Sequence, residues 1–517
     1  MANYGTGRML WWAGFLGIVL VHLVWEILHT APPPWDMAHH QLRGLDALQA
    51  WRQGELMSRF ASLSDYYPPL YYLQEAVVFG LLGSTSLISL LSNLPALFLL
   101  GYFTRKIASR CMDSPFADAA GLLPLLFPMV AWTSRESLLD VALSGWVALS
   151  VFVLMRSKWL QVKGWSLLFG LCVAAGMLTK WTFCIFLAPP VVYAFVVAEG
   201  RKAALRNLID AALVALPAVF WWYLPNARSL VQRFQSTAEA AAIENDPAVA
   251  SLMGLVYYPR AVSGYYLYLP LTVLLIWGLW VWLRKRRTQE AGPAQEIRLV
   301  AVWLLGGGLL MTLLQAKDPR YIMPLAAPLS IGLVYLWHHS RPALTGMVCL
   351  AALQFLSISF AWPGTPVKIA LFEYDPPSDF RTLSQEWVLY QSAYFEVAGP
   401  PRREDWKLDE LALSLPDDAR VGFVPELPRF HLQALELTAA LDGCRLTLYR
   451  LGSSETPEAF LKSLSHVIGK TGPQGIDYLT QYNQALYGKL RERGWQVSRR
   501  LPLPDGSEAV LWAAPGG

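Results

Sequence analysis

Charge is scarce in this sequence. Asp, Glu, Lys and Arg make up 15% of its 517 residues against 54% hydrophobic, and the formal balance is only +4. So little charge excludes an ordinary soluble enzyme, and so small a basic excess gives no argument for nucleic acid. Cysteine is sparse as well. Cys172, Cys184 and Cys349 lie inside apolar runs, Cys111 at the edge of one, and Cys444 alone in the polar C-terminal part. That scatter excludes metal-type Cys spacing and a disulfide framework. The C-terminal part has no Gly-rich phosphate loop and no nucleophile motif. No Asn-x-Ser/Thr sequon occurs, in keeping with a bacterial source.

What is present is length of hydrophobic run. A bilayer core of about 30 Å needs roughly 20 apolar residues in a helix. On that rule about eleven spans are expected, near 9–29, 84–103, 116–133, 138–155, 164–179, 181–198, 204–224, 265–283, 299–316, 320–337 and 342–361. The first has Arg8 as its only basic flank and no small-residue cleavage site, so it reads as a retained anchor.

Basic residues in the short turns orient the chain. With the N-terminus inside, one set of turns carries Arg105, Lys106 and Arg110, then Arg156, Lys158 and Lys163, then Arg201, Lys202 and Arg206, and finally Arg284 to Arg287. The opposite set carries only Arg135, Lys180, Lys317 and Arg320. This asymmetry is that of the positive-inside rule. It divides the chain into a transmembrane domain, 1–361, with outer loops 30–83 and 225–264, and a domain at 362–517 outside the cytoplasm. His338 and His339 fall on the cytoplasmic side.

Within the first outer loop, Leu42, Leu45, Leu48, Trp51, Leu56 and Phe60 recur at helical spacing, as in helices lying in the interface. From residue 362 charge and proline become common. Strands are expected at 420–425, 445–450, 495–500 and 509–513, with a helix at 431–441, which makes an α/β domain of about 150 residues.

Charged groups at helix mouths cost about 2.5–3.5 kcal/mol each on insertion scales and call for a reason. Four are expected on the outer side: Asp36 after the first span, Asp140 opening the fourth, Lys180 in the turn between the fifth and sixth, and Arg320 opening the tenth. Two carboxylates and two cations on one face are the inventory needed to deprotonate an acceptor and hold a lipid-linked phosphate. Three of them also have a plainer reading. Asp140 could only favour its helix N-terminus, and Lys180 and Arg320 could be interfacial anchors. Glu26 and Glu75 read as structural, and Tyr265 to Tyr268 as an interfacial belt.

Five motifs occur in order: Asp36 after the first span; Asp65-Tyr66-Tyr67-Pro68-Pro69-Leu70-Tyr71-Tyr72-Leu73; Ser134 to Asp140; Leu178-Thr179-Lys180; and Asp318-Pro319-Arg320-Tyr321-Ile322-Met323-Pro324. This order resembles the GT-C glycosyltransferases of the glycosyltransferase 39 type, a group that includes protein O-mannosyltransferases and bacterial aminoarabinose transferases acting on lipid A. The resemblance covers roughly residues 9–360. It implies transfer of a sugar, with inversion, from a polyprenyl-phosphate donor to a lipid, glycan or protein acceptor at the outer face of the bacterial inner membrane.

By that resemblance Asp36 is the general base and Asp140 a second catalytic acid that orients the acceptor or the interfacial helix. Lys180, Arg320 and Tyr321 bind the donor phosphate, while His40, Tyr67, Arg135 and Glu136 border the substrate cavity. One departure stands out: many relatives carry Asp-Glu in the first loop, and here Asp36 is followed by Met37. His40, four residues on, would share a helical face with Asp36, and the two are the candidates for a divalent metal. Two other classes compete. A lipid-linked-sugar flippase would be expected to show internal repeats, which are absent here; a surface-polysaccharide polymerase or ligase would differ only in its donor.

Overall fold

The computed structural model describes residues 3–64, 66–83, 87–243, 246–286, 294–362, 368–370, 388–391, 399–452 and 458–515. Asp65, Arg287 and the side chain of Arg8 lie outside what is described, as do residues 84–86 at the start of the second expected span.

Helices come first. They are α1 (Asn3–Leu28), α2 (Trp35–Arg52), α3 (Leu56–Arg59), α4 (Leu70–Leu82), α5 (Ile88–Ala108), α6 (Ser114–Leu126), α7 (Pro128–Thr133) and α8 (Leu139–Arg156). There follow α9 (Lys163–Met177), α10 (Phe183–Val197), α11 (Arg201–Ile243), α12 (Leu252–Ala261), α13 (Tyr268–Arg286), α14 (Gln295–Thr312), α15 (Ala326–Leu336) and α16 (Arg341–Phe360). Among the described residues the expected spans fall mainly on helix, with 116–133 divided into α6 and α7, 320–337 into a 3₁₀ segment, Pro319–Leu325, and α15, and 299–316 helical only to Thr312. Among the described residues, five stretches are long and apolar enough to cross a bilayer by themselves: Met9–Leu28, Leu139–Arg156, Arg201–Glu239, Leu252–Lys285 and Arg341–Phe360. The apolar helices α4, α9 and α10 are shorter. These are the helices of a multi-pass membrane protein.

Small residues set the helix spacing, since apolar side chains gain little from one another when lipid is equally apolar. A methyl group on Gly145 of α8 would sit 2.8 Å from the Ala96 carbonyl of α5. One on Gly170 of α9 would sit 2.3 Å from the Ala211 carbonyl of α11.

The C-terminal part is a small sheet domain. A short antiparallel pair, β1 (Lys368–Ala370) and β2 (Val388–Gln391), precedes α17 (Leu408–Leu413), β3 (Ala419–Phe423), α18 (Leu432–Asp442) and β4 (Leu446–Arg450). Then come α19 (Glu458–Leu461), β5 (His466–Lys470), α20 (Asp477–Glu492), β6 (Gln496–Pro502) and β7 (Glu508–Ala513). The five-stranded sheet runs β4-β3-β5-β7-β6, parallel across β4, β3 and β5 and antiparallel from β5 to β6. The expected strands and the helix after 431 are all present; β1, β2, α17, α19, β5 and α20 are additional.

By packing, the chain divides into two compact units. One comprises Met1–Trp25, Gln49–Gln74 and Ser89–Pro400. The other joins the sheet domain, Pro401–Gly517, to Glu26–Leu48 and Glu75–Ile88. The first loop thus belongs in part with the C-terminal domain, a grouping that linear order conceals.

Candidate active site

Lys180 sits in the turn between α9 and α10 and is almost wholly buried. Its Nζ lies 2.7 Å from Oδ1 of Asp140, in the first turn of α8. The rings of Tyr67 and Tyr321 stand 5.6 and 5.2 Å from the same ammonium, within cation–π range. Three motifs far apart in sequence therefore meet around one charge. The turn itself is held from two sides. Leu70 N–H donates to the Leu178 carbonyl at 3.0 Å, and the Tyr223 hydroxyl to that of Met177 at 2.8 Å. A buried charge is tolerated only when paired, and removing one partner of such a pair typically costs about 3–5 kcal/mol.

Arg320 is organised in the same manner. Asp318 caps the 3₁₀ segment, its Oδ1 accepting Arg320 N–H at 2.7 Å, while Oδ2 accepts from Nε at 3.0 Å and Nη2 at 2.7 Å. The guanidinium is thus fixed by a fork that uses one carboxylate for both backbone and side chain. Next to it, Lys317 directs Nζ to the carbonyls of Thr312, at 2.6 Å, and Leu314, where the C-terminal carbonyls of α14 attract a cation. The backbone N–H of Lys317 donates to Oδ2 of Asp246 at 2.8 Å. Tyr266 donates to the Pro319 carbonyl at 2.8 Å. Both Tyr266 and Tyr321 lie within electrostatic reach of Asp140, Asp318 and Arg320, which brings the two ion pairs into one neighbourhood.

Arg135 and Glu136 fill the buried break between α7 and α8. Arg135 donates from Nε to Nδ1 of His22 at 3.0 Å and from Nη2 to the Ser359 hydroxyl. Its guanidinium stacks over Trp25 at 5.0 Å and Phe355 at 5.6 Å. The arginine expected at the cavity border is therefore engaged in tying α1 to α16. The Glu136 carbonyl accepts from Asn93, whose other amide atom takes the Tyr71 hydroxyl.

Asp36 and His40 lie on α2, in the other unit. Asp36 is in its first turn, and His40 is buried one turn on, its ring 6.0 Å from that of His39. Among the described residues no group of three or more His, Cys, Asp and Glu could hold a metal ion. Two ligands are the most that Asp36 and His40 offer. Helix α2 packs Ala38 and Leu42 against Leu437 of α18. Asp36 is within electrostatic reach of His431, whose imidazole is pushed down to about 4 by burial and further by Arg450, against the opposing pull of its bonds to Gln433 and Pro33 and of Asp36.

The sequence motifs missed four participants. Asp318 lies in the last motif, but its role as capping acid and counter-ion is set only by the fold. Asp246 and Tyr223 carry no local signal, and Tyr266, expected in an interfacial belt, is instead buried against Pro319; the fold sets the spacing of all three from the residues they touch.

No protein-family model and no curated protein sequence matches the chain. Solved structures do. ArnT from Cupriavidus metallidurans in the apo state superimposes with a TM-score of 0.60 at 14% identity, over 99% of this chain and 100% of that one. The same protein bound to undecaprenyl phosphate gives 0.60 at 12% identity, over 98% of each chain. The Archaeoglobus fulgidus oligosaccharyltransferase complex with Zn and sulfate gives 0.49 at 12% identity, over 96% of this chain and 72% of that one. From α1 to the C-terminal sheet, this chain has the fold of ArnT.

Proposed function

We propose that the protein is an inverting glycosyltransferase that moves a sugar from a polyprenyl-phosphate donor to a lipid, glycan or protein acceptor. The observation that carries this reading is the buried Lys180 ammonium, paired with Asp140 and flanked by Tyr67 and Tyr321. A cation held there, with the Arg320–Asp318 pair nearby, can meet the charge that grows on a departing phosphate. An apolar groove of about 240 Å³ adjoins this turn, lined by Met177, Phe183, Cys184 and Leu187 among others, and suits the start of an isoprenoid chain. The undecaprenyl phosphate bound to ArnT is of the same chemical class.

In the proposed step Asp36 takes the proton of an acceptor hydroxyl or amine. The freed lone pair forms the new bond to the anomeric carbon, while the bond from that carbon to the phosphate oxygen breaks on the opposite face. Its electrons leave with the lipid phosphate. Lys180 and Arg320 exchange part of their contact with Asp140 and Asp318 for the phosphate oxygens. In this reading the chemistry lies on the outer face of a bacterial inner membrane, supported by the excess of Lys and Arg in the opposite set of short turns.

The test is a transfer assay in nanodiscs with a panel of undecaprenyl-phosphate sugars, following release of undecaprenyl phosphate. Wild-type release with none from Asp36→Asn is the expected outcome. Equal release from both proteins removes Asp36 as the base; movement of the donor between leaflets without release would favour a flippase.

A further inference from the structure

The sheet domain carries no motif of its own chemistry, yet its position in the chain's packing gives it a task. In its parallel part, α18 links β3 to β4 on one side, and the chain then returns past β3 to β5 on the other. Loops leaving the carboxyl ends of strands at such a reversal are where open α/β sheets hold what they recognise. Here the loop after β3, residues 424–431, carries Arg429 and His431 on either side of Phe430. Phe430 is fully buried and packs its ring against Phe423 and Trp406.

What this loop holds is the segment that delivers Asp36. Arg429 donates from Nη1 to the Pro32 carbonyl at 2.6 Å and lies 3.3 Å from Nε2 of His29. His431 places Nε2 3.4 Å from the Pro33 carbonyl and Nδ1 3.2 Å from Oε1 of Gln433, so the ring bridges the segment to its own loop. The backbone of Arg402 completes the grip, its N–H bonding Nδ1 of His29 at 3.1 Å and its carbonyl accepting from Thr30 and Ala31 at 2.9 and 3.3 Å.

The held segment cannot organise itself. Pro32, Pro33 and Pro34 have no N–H to give, and their carbonyls need outside donors when buried. Trp35, which follows, takes φ of +27°, a conformation that L side chains rarely adopt. The Pro34 carbonyl then accepts from Met37 and Ala38 to start α2, with Asp36 between. A constrained corner thus lies directly before Asp36, and two side chains of the sheet domain clamp it.

We infer that Arg429 and His431 are positioning residues that set the place of the Asp36 carboxylate through the Pro32–Pro33 backbone, which makes the C-terminal domain part of the catalytic apparatus. The inference rests on the reading of Asp36 as general base. It concerns orientation, so its signature is a loss of turnover with donor binding intact. A displacement on the order of 1 Å can cost about 10²-fold in rate.

The test uses the full-length protein in nanodiscs. Arg429→Ala and His431→Leu should lower kcat by about 10²-fold with KM for the undecaprenyl-phosphate sugar and affinity for undecaprenyl phosphate within about twofold. His431→Gln places an amide N–H near the position of Nε2 and should restore most of kcat. Amide exchange at Met37 and Ala38 should quicken about tenfold or more in Arg429→Ala and not in His431→Gln. If the sheet-domain variants fail to fold, His29→Ala removes a partner of Arg429 and of Arg402 from outside that domain and should show the same kcat loss and faster exchange. Wild-type kcat and exchange in folded variants would overturn the inference, as would a kcat loss that His431→Gln does not reverse. Turnover by Asp36→Asn would instead sink the base assignment, which separates the two failures.

Discussion

At the scale of residues, the distinctive feature is that both cations assigned to the donor phosphate already have carboxylate partners. Lys180 shares its charge with Asp140 and Arg320 with Asp318. Such pairs do two things at once: they keep a charge stable at a helix mouth and keep it aimed. The two roles separate by mutation. Lys180→Ala leaves Asp140 buried and unpaired, so it should weaken undecaprenyl phosphate binding at least tenfold and also lower stability by about 3–5 kcal/mol. The double variant Lys180→Met with Asp140→Leu removes both charges. It should recover most of that stability, read as a melting temperature, while binding stays lost. Recovery of binding in the double variant would refute the phosphate role of Lys180. The candidate residues themselves were legible because charge in an apolar chain is rare and conspicuous. Their pairing was not: Lys180 and Asp140 are 40 positions apart, and only helix packing brings them together.

Elements differ in how openly the sequence announces them. The long apolar helices do so by length alone, and the proline at the start of α7 and of the 3₁₀ segment 319–325 marks a helix entry in the ordinary way. Strand β5 hides. His466-Val467-Ile468-Gly469-Lys470 is buried on both faces, so it lacks the alternation of a half-exposed strand, and its His, Gly and Lys argue against a core position. Lys470 is admitted there because Asp505 pairs with its Nζ at 2.9 Å and the Pro473 carbonyl accepts from it at 2.8 Å. Helix α20 hides for the opposite reason: it is mostly polar, and its buried stripe of Leu479, Asn483, Leu486 and Leu490 includes an amide.

The loop after β3 carries a pH dependence. The folded value of His431, about 4, lies below the ordinary 6.5, so the unfolded chain binds more protons between those values. Stability of the C-terminal unit is therefore fully present above about pH 6.5 and falls as pH drops toward 4, by a loss on the order of 3 kcal/mol from this group. Asp36 and Arg450 face the imidazole and pull its value up and down respectively. Urea unfolding at pH 7 and pH 4.5 should show a smaller difference for His431→Gln than for wild type; equal differences would exclude His431 as the source.

On the scale of the whole molecule, the charge asymmetry of the turns makes a prediction about orientation. In a protein stripped of its five cysteines, Ser236→Cys on α11 should react with a membrane-impermeant maleimide added to intact cells. Ser109→Cys, after α5, should react only once the membrane is opened. Both positions are exposed. Reversed labelling would invert the topology and remove the outer-face assignment of Asp36, Lys180 and Arg320.

By itself the sequence indicated a multi-pass helical membrane protein, roughly where its apolar helices lie, and which scarce charges call for a reason. It could do so because hydrophobic length and helical period are local quantities, readable in windows of about 20 residues. It read 225–264 as a loop where α11 continues to Ile243 and α12 follows. The tertiary structure decided which of those charges meet. It gave Asp140 and Asp318 to Lys180 and Arg320, turned Arg135 toward His22 and Ser359, and gathered residues 26–48 with the sheet domain. Contacts such as Arg429 to Pro32, 397 positions apart, leave no trace in any window of sequence. They follow from how surfaces close on one another, and only the folded chain specifies that.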